Sequence, residues 1–259
     1  MLENSLVLVK RGITGVTELT LNRPEKRNAL SIELMARLCK ALEEVQEDPS
    51  QRVIIIRGEG PVFCSGLDLS EARDPEKTEQ SGNQVATMLK TVYLSPLVTI
   101  AAVQGAALAG GAGLMSACDF VIAAEDTLFG YPETRRGLVA AQVMAFLTRQ
   151  LRQRDVRELL LFGEFVDASK ALSIGLINRA VPQEQLLKEA YRHAKRVIKG
   201  APQAITPTKK ILDEMYPSDF THDINTALKY HQMMRESDEA KEGIAAFLEK
   251  RRPDWERSK

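Results

Sequence analysis

Val98-Thr99-Ile100-Ala101-Ala102-Val103-Gln104-Gly105-Ala106-Ala107-Leu108-Ala109-Gly110-Gly111-Ala112-Gly113 is the stretch on which the rest of the chain depends. Its first six residues are apolar and partly β-branched, which predicts a short buried strand. The strand stops at Gln104-Gly105. Residues 106–113 are only alanine, leucine and glycine. Alanine favours helix and glycine opposes it, so propensity does not account for the run. Close packing does: a helix opening at Gly110-Gly111 can press its backbone against a neighbour. Such an opening presents free N–H groups and partial positive charge, which suit a developing oxyanion. A second apolar strand is predicted over residues 119–124. It leads to Phe129-Gly130-Tyr131-Pro132-Glu133, a turn that ends on a carboxylate. Pro132 and Gly130 stiffen that turn, so Glu133 is held in a defined place. A glycine pair also marks simple tight packing, and a glutamate after proline also opens a solvated helix. Their occurrence on neighbouring strand-to-helix corners is what points to a site.

Toward the N-terminus, residues 6–9 and 16–21 predict a hairpin around residues 12–15. Asn22-Arg23-Pro24-Glu25-Lys26-Arg27-Asn28-Ala29-Leu30 is a polar, charged loop. Ser31 is a good N-cap, and Leu34, Leu38, Ala41, Leu42 and Val45 come after it at helical spacing. Asp48-Pro49 ends that helix, and residues 52–57 (RVIIIR) predict a buried strand of parallel type. A glycine-rich loop then runs from Gly58 through Phe63-Cys64-Ser65-Gly66-Leu67-Asp68-Leu69. It is predicted to open into a helix near Ser70 and is a second place where backbone N–H groups can face a ligand. It lacks the Lys-Ser/Thr pair of a Walker loop and does not match GxGxxG. Residues 71–83 are polar and contain Pro75 and Gly82, which predicts a mobile surface segment.

Toward the C-terminus, residues 138–147, 155–162 and 168–172 predict helices, and residues 176–181 a short strand. From Pro182 onward the periodicity is helical, with breaks at residues 200–202 and 216–217. Strands therefore alternate with helices in the first two thirds only, which predicts an α/β core over residues 1–195 and a helical region over 196–259. A run of helices needs a surface to pack on, so contact with the core or with another subunit is expected.

The chain has 259 residues, enough for a large core, with 35 Lys+Arg balanced by 35 Asp+Glu. Zero net charge supplies no global field for nucleic acid, so an anionic ligand must be held by local basic groups. Cys39, Cys64 and Cys118 are far apart and lack CxxC spacing, which predicts reduced thiols and a cytoplasmic location. Cys64 is read as a small buried hydrophobe. His193, His222 and His231 fall on apparent helical surfaces, so no metal site is expected. Residues 1–10 have an acidic start and a short apolar run, which fits a first strand better than a signal peptide. Residues 98–124 are too interrupted for a membrane helix, which needs roughly 20 unbroken apolar residues.

Five segments in order now resemble the crotonase (enoyl-CoA hydratase/isomerase) superfamily. They are Asn22-Arg23-Pro24 through Asn28-Ala29-Leu30; Phe63 through Leu69; Val103-Gln104-Gly105 through Gly110-Gly111 and Cys118-Asp119; Phe129-Gly130 through Pro132-Glu133; and Glu242-Gly243-Ile244-Ala245-Ala246-Phe247-Leu248-Glu249-Lys250-Arg251. The resemblance covers nearly the whole chain. It implies a spiral of ββα repeats with a C-terminal helical region that builds trimers or dimers of trimers. It also implies an acyl-CoA thioester as substrate, with CoA entering as part of that substrate and no metal or redox cofactor. Position by position, Leu67 and Gly110 would donate the two N–H groups of an oxyanion hole for the thioester oxygen. Donors fixed in advance need no reorganisation at the transition state, and losing one costs roughly 3 kcal/mol. Ser65, Gly66, Asp68 and Leu69 would border the adenine. Lys26 and Arg27 match the loop near the CoA phosphates, and Ala29 joins the substrate-binding set. Gly111, Gly113 and Pro132 flank the reacting groups in the substrate-binding set. Phe247 and Lys250 match tail positions near the nucleotide.

One departure stands out. Two-glutamate hydratases of this superfamily carry a glutamate where this chain has Gly113, and a second at Glu133, which is present. Syn hydration asks for two jobs, holding and deprotonating water and delivering a proton to the α-carbon. A single carboxylate most simply shuttles one proton through an enolate, as in Δ3,Δ2-enoyl-CoA isomerisation, and burial beside an acyl pocket raises its pKa toward working pH. Glu133-Thr134-Arg135-Arg136-Gly137-Leu138 also matches the Glu-x-x-x-Gly-Leu of members resembling 3-methylglutaconyl-CoA hydratase, so hydratase and isomerase stand nearly even. Arg135 and Arg136 are either solvated helix residues or partners for a substrate carboxylate. Other enolate chemistry such as decarboxylation, and a non-catalytic acyl-CoA-binding scaffold, are the remaining readings. The balanced charge and lack of a basic-aromatic cluster argue against RNA binding. Parts of residues 71–95 and 138–147 are expected to form the acyl pocket walls.

Overall fold

The structure, a computed structural model, describes residues 5–71 and 75–257. Strands β1 (Val7–Arg11) and β2 (Val16–Leu21) form the expected antiparallel hairpin. Strands β3 (Val53–Gly58), β4 (Val98–Val103), β6 (Phe120–Ala124) and β9 (Arg179–Val181) then add in parallel. The resulting six-stranded order is β1-β2-β3-β4-β6-β9. A second sheet of three strands holds β5 (Ala106–Leu108), β7 (Leu128–Gly130) and β8 (Phe165–Asp167).

Two-residue periodicity sorts β3 between two cores. Ile54 and Ile56 join the larger one, while Val53 and Ile55 face the other with Ile100, Ala102 and Ile122. Both faces are covered, which explains why these strands read as unbroken apolar runs. The smaller core is closed by α7 (Leu186–Ile198) through Leu186, Ala190 and Ala194. The larger is closed by α1 (Ile32–Gln46), α2 (Pro75–Tyr93), α3 (Gly110–Ser116) and α4 (Ala141–Gln150). Ser31 caps α1, its Oγ accepting from the Leu34 N–H at 3.2 Å. Helices α5 (Gln153–Phe162) and α6 (Ala168–Ser173) lead to β9.

Each turn of the chain leaves a short extended piece beside the last. Leu30 bridges Leu67, Cys64 bridges Ala107, and β5 pairs with β7 in parallel. This stepwise addition is the spiral expected from the repeats.

The C-terminal helices are α8 (Pro202–Glu214), α9 (Phe220–Arg235), α10 (Asp238–Leu248) and α11 (Asp254–Arg257). α9 packs on α2 and α4 of the same chain. Phe220 sits 4.0 Å from Tyr93 and 5.1 Å from Phe146 between ring centroids. Arg149, on α4, reaches Asp213 and Asp223 at 3.1 Å each, and so joins α8 and α9 to the core.

Some expectations change. The predicted mobile segment is largely α2, which starts at Pro75, while residues 72–74 lie outside the described residues. Ser70 lies in a turn and Glu71 takes 3-10 conformation, while the continuation of the helix expected near Ser70 falls at residues 72–74, outside the described residues. Residues 128–130 form strand β7, where a turn is expected, because β5 and β8 pair with it on both sides. Residue 195 lies within α7, which continues to Ile198.

Candidate active site

A cavity of about 540 Å³ opens where the loops of successive turns meet. Its outer wall is the loop after β2. Pro24–Lys26 forms a 3-10 turn, and Arg27 and Asn28 take positive φ of 51° and 53°. Asparagine tolerates that conformation better than most residues. Buried Asn28 fixes the loop: Oδ1 accepts from the Arg23 N–H at 2.9 Å, and Nδ2 donates to Glu59 O at 2.9 Å and Val62 O at 2.7 Å. Arg23 donates to Asp68 at 2.7 Å and to Ala29 O at 3.0 Å. The Asn-Arg-Pro segment therefore locks two loops together.

Next to it lies the Leu67 segment. Leu30 N–H donates to Gly66 O at 2.8 Å, and Asp68 N–H donates to Leu30 O at 3.0 Å. In a parallel pair the residue between two such bonds turns its own amide the other way. The Leu67 N–H accordingly donates to no acceptor among the described residues, and neither does the Gly110 N–H. The two segments touch: a Cβ on Gly66, where φ is +103°, would lie 3.0 Å from Leu108 O and 3.7 Å from Gly110 N. Gly111 lies against Cys64, where a Cβ would meet Cys64 Cβ at 2.7 Å. This is the close backbone packing that the Ala/Gly run requires. Burial pushes the Cys64 thiol up to about 12, which leaves it inert.

Glu133 rides on a 3-10 turn, Pro132–Arg136, that ends at Gly137 with φ +65°. That turn is held from two sides. Thr134 Oγ1 donates to Leu160 O at 3.4 Å and Arg135 Nε donates to Phe162 O at 3.1 Å, both on α5. On the other side, Gly243 of α10 lies directly on the Arg136 backbone, with no room for a Cβ. One turn further along α10, the Arg136 guanidinium stacks over the Phe247 ring at 4.2 Å. Oε2 of Glu133 is buried and has no hydrogen-bond partner among the described residues. Burial pushes the carboxyl up to about 7, against its own backbone N–H and the charge of Arg136, which both pull it down.

The cavity wall includes Lys26, Arg27, Ala29, Ser65, Leu67, Asp68, Leu69, Gly110, Glu133 and Phe247 from the expected set. Gly66, Gly111, Gly113 and Pro132 stand behind the wall and shape it, and Lys250 is exposed past the end of α10. Asp68 already spends its carboxylate on Arg23 and on Ser70, at 2.6 Å. A Cβ on Gly113 would lie 2.6 Å from Val143 Cγ1. Arg136 lines the cavity, whereas Arg135 is exposed and turned to α5 and Glu164. Val85 and residues 138–143 supply the expected walls.

Sequence reasoning missed His231 and Arg235, both of α9 and on the wall, and gave Gln142 no role of its own within the expected wall segment of α4. His231 is not on an open helical surface: its Nε2 is buried. His193 is buried as well, stacked on Phe120 at 4.7 Å. The spacing of His231 and Arg235 on one helical face is the only signal that the sequence offered.

Residues 11–258 match the family model described as enoyl-CoA hydratase/isomerase. The chain belongs to this family. The enoyl-CoA isomerase/hydratase of Mycosarcoma maydis is 32% identical over 93% of this chain and 92% of its own length. The mevalonyl-coenzyme A hydratase of Aspergillus fumigatus is 34% identical over 93% and 91%. Among solved structures, an enoyl-CoA hydratase from Mycobacterium avium superposes with a TM-score of 0.87 at 32% identity, covering 97% of this chain and 99% of that one. The family member is thus an α/β protein of crotonase-like fold. Among the described residues no helix is long and apolar enough to cross a membrane.

Proposed function

We propose that the protein converts enoyl-CoA thioesters through an enolate, with Glu133 as its one acid/base carboxylate. The observation that carries this reading is the pairing of Glu133, raised to about 7, with the unpartnered N–H groups of Leu67 and Gly110 on one cavity. The thioester oxygen accepts from both amides. Glu133 takes a proton from the α-carbon, and the negative charge moves onto that oxygen, where fixed donors meet it. Glu133 then returns the proton to the γ-carbon, and the double bond moves into conjugation. No second carboxylate stands at Gly113, and Val143 fills the space one would need. This favours the Δ3,Δ2-isomerase over the hydratase.

Hydration is the second reading, favoured by the hydratase names of the relatives. In it Glu133 both takes a proton from water and delivers one to the α-carbon. Lys26 and Arg27 at the cavity mouth are suited to the CoA phosphates, and CoA arrives with the substrate. The exposed Ile211 and Leu212 of α8, with Met215 just past its end, are suited to a trimer contact. The test is a product assay with 3-hexenoyl-CoA and crotonyl-CoA, run beside Glu133→Gln. Conjugation of 3-hexenoyl-CoA alone, lost in the variant, supports isomerisation. Consumption of crotonyl-CoA, lost in the variant, moves the protein to the hydratases. Activity that survives Glu133→Gln overturns both.

A further inference from the structure

The buried side of the cavity is polar in a way the proposed chemistry does not use. Arg235 is only 8% exposed, yet its Nε has no hydrogen-bond partner among the described residues. No carboxylate among them acts on it; burial alone bears on its charge. His231, one helical turn earlier, has Nε2 buried without a partner, and Gln142 has Oε1 in the same condition. Gln142 Nε2 is spent on Gly82 O at 3.0 Å, and a Cβ on Gly82 would lie 3.2 Å from the His231 ring, so these groups form one cluster. Arg136 adds a second cation, stacked on the Phe247 ring and coupled to Glu133 without a direct ion pair. None of the nearby carboxylates pairs with Arg235. Of those lining this cavity, Glu25 is exposed on the outer loop, Asp68 is bound to Arg23 at 2.7 Å and Glu133 is coupled to Arg136. Glu249, which lines the adjoining cavity with Arg235, is bound to Arg251 at 2.6 Å.

A buried cation without a counter-charge is costly, because burial strips the water that would otherwise solvate it. An apolar acyl chain would make this wall worse, because it would desolvate Arg235 further and offer nothing in return. A ligand that brings its own anion would complete it. The geometry points to an acyl-CoA that carries a second carboxylate at the far end of its acyl group, received by Arg235 with Arg136 and the donors around it. This deepens the proposed function and rests on its acyl-CoA reading. Arg235 would be a specificity-determining residue, remote from the bond that changes.

Saturated thioesters separate binding from chemistry. Wild-type protein is titrated calorimetrically with succinyl-, glutaryl- and adipoyl-CoA, and with neutral branched acyl-CoAs of matching shape. At least one carboxylated member is expected to bind about tenfold or more tightly than its neutral counterpart, the scale of a charge-assisted hydrogen bond. Arg235→Gln brings that ratio to about one, and Arg235→Lys keeps part of it. Equal binding of each pair by the wild type overturns the proposal while leaving the acyl-CoA reading intact. A preference that survives in folded Arg235→Gln overturns the role of Arg235. Failure of every thioester to bind sinks the acyl-CoA reading and the proposal together. The wild-type comparison stands alone if the variants do not fold.

Discussion

Gly113 and Val143 occupy adjoining space: a Cβ on Gly113 would lie 2.6 Å from Val143 Cγ1. The position where two-glutamate hydratases carry their first acid is therefore closed by a side chain from α4, besides being empty of a carboxylate. Mid-helix glycine to alanine normally gains about 1 kcal/mol, whereas overpacking a core costs about 1–3 kcal/mol. The second effect wins here. Gly113→Ala is expected to lower stability by about 1–2 kcal/mol in urea unfolding, and adding Val143→Ala to recover most of it. A stabilised Gly113→Ala single variant would show that α3 and α4 are looser than described.

The proposed role of Glu133 as base ties activity to pH. As a base it must be ionised, so the rate should rise with pH through about 7, where its carboxyl titrates. Stability moves the other way. The folded carboxyl holds its proton to about 7, against 4.5 for an ordinary glutamate, so between those values the unfolded chain binds fewer protons. Stability falls as pH rises through that window, by up to about 3 kcal/mol. Glu133→Gln should abolish turnover and flatten this slope, leaving the variant more stable than wild type at pH 8. Parallel slopes for the two proteins would show that the carboxyl is not buried in solution.

Asn28 ties the outer loop through one accepted and two donated hydrogen bonds. Asn28→Ala leaves Val62 O and Glu59 O without those donors and places alanine at a φ of 53°. The expected loss is about 2–4 kcal/mol in denaturant unfolding. Asn28→Asp keeps the acceptor but sets a buried carboxylate oxygen against both carbonyls, so it should cost at least as much as alanine. A loss below about 0.5 kcal/mol would show the loop to be held elsewhere.

Gly243 lies far from the reacting groups, yet it lets α10 touch the backbone of Arg136. Gly243→Ala should lift α10, loosen the turn that carries Glu133 and lower kcat more than tenfold while changing KM less, because misplaced catalytic groups are that expensive. Steady-state kinetics on a variant shown to be folded decides this. An unchanged kcat would mean that the α5 contacts alone hold the turn.

Local signals were legible and remote ones were not. The hairpin, the Ser31 cap and the parallel strands were readable because periodicity and capping are written within a few residues. The Ala/Gly run and Pro132-Glu133 were readable for the same reason, since the peculiarity of each lies in its own composition. Helix α2 was not: its polar start and Gly82 look like loop until His231 is seen packed on that glycine. Strand β7 depends wholly on partners β5 and β8. Arg235 carried no local signal, because its burial is imposed by helices distant in sequence.

The cavity draws on Lys26 and Arg27 on one side and on Arg235 and Phe247 on another, near opposite ends of the chain. Synthesis proceeds from the N-terminus, at roughly 5–20 residues per second. The sheet and the glycine segments can form while the last helices are still unmade, but Glu133 lacks its α10 clamp until then. A nascent chain should therefore bind thioester weakly until α9 and α10 are made. Chains arrested before α9 should leave the ribosome with a sheet that resists protease and no measurable affinity for acyl-CoA.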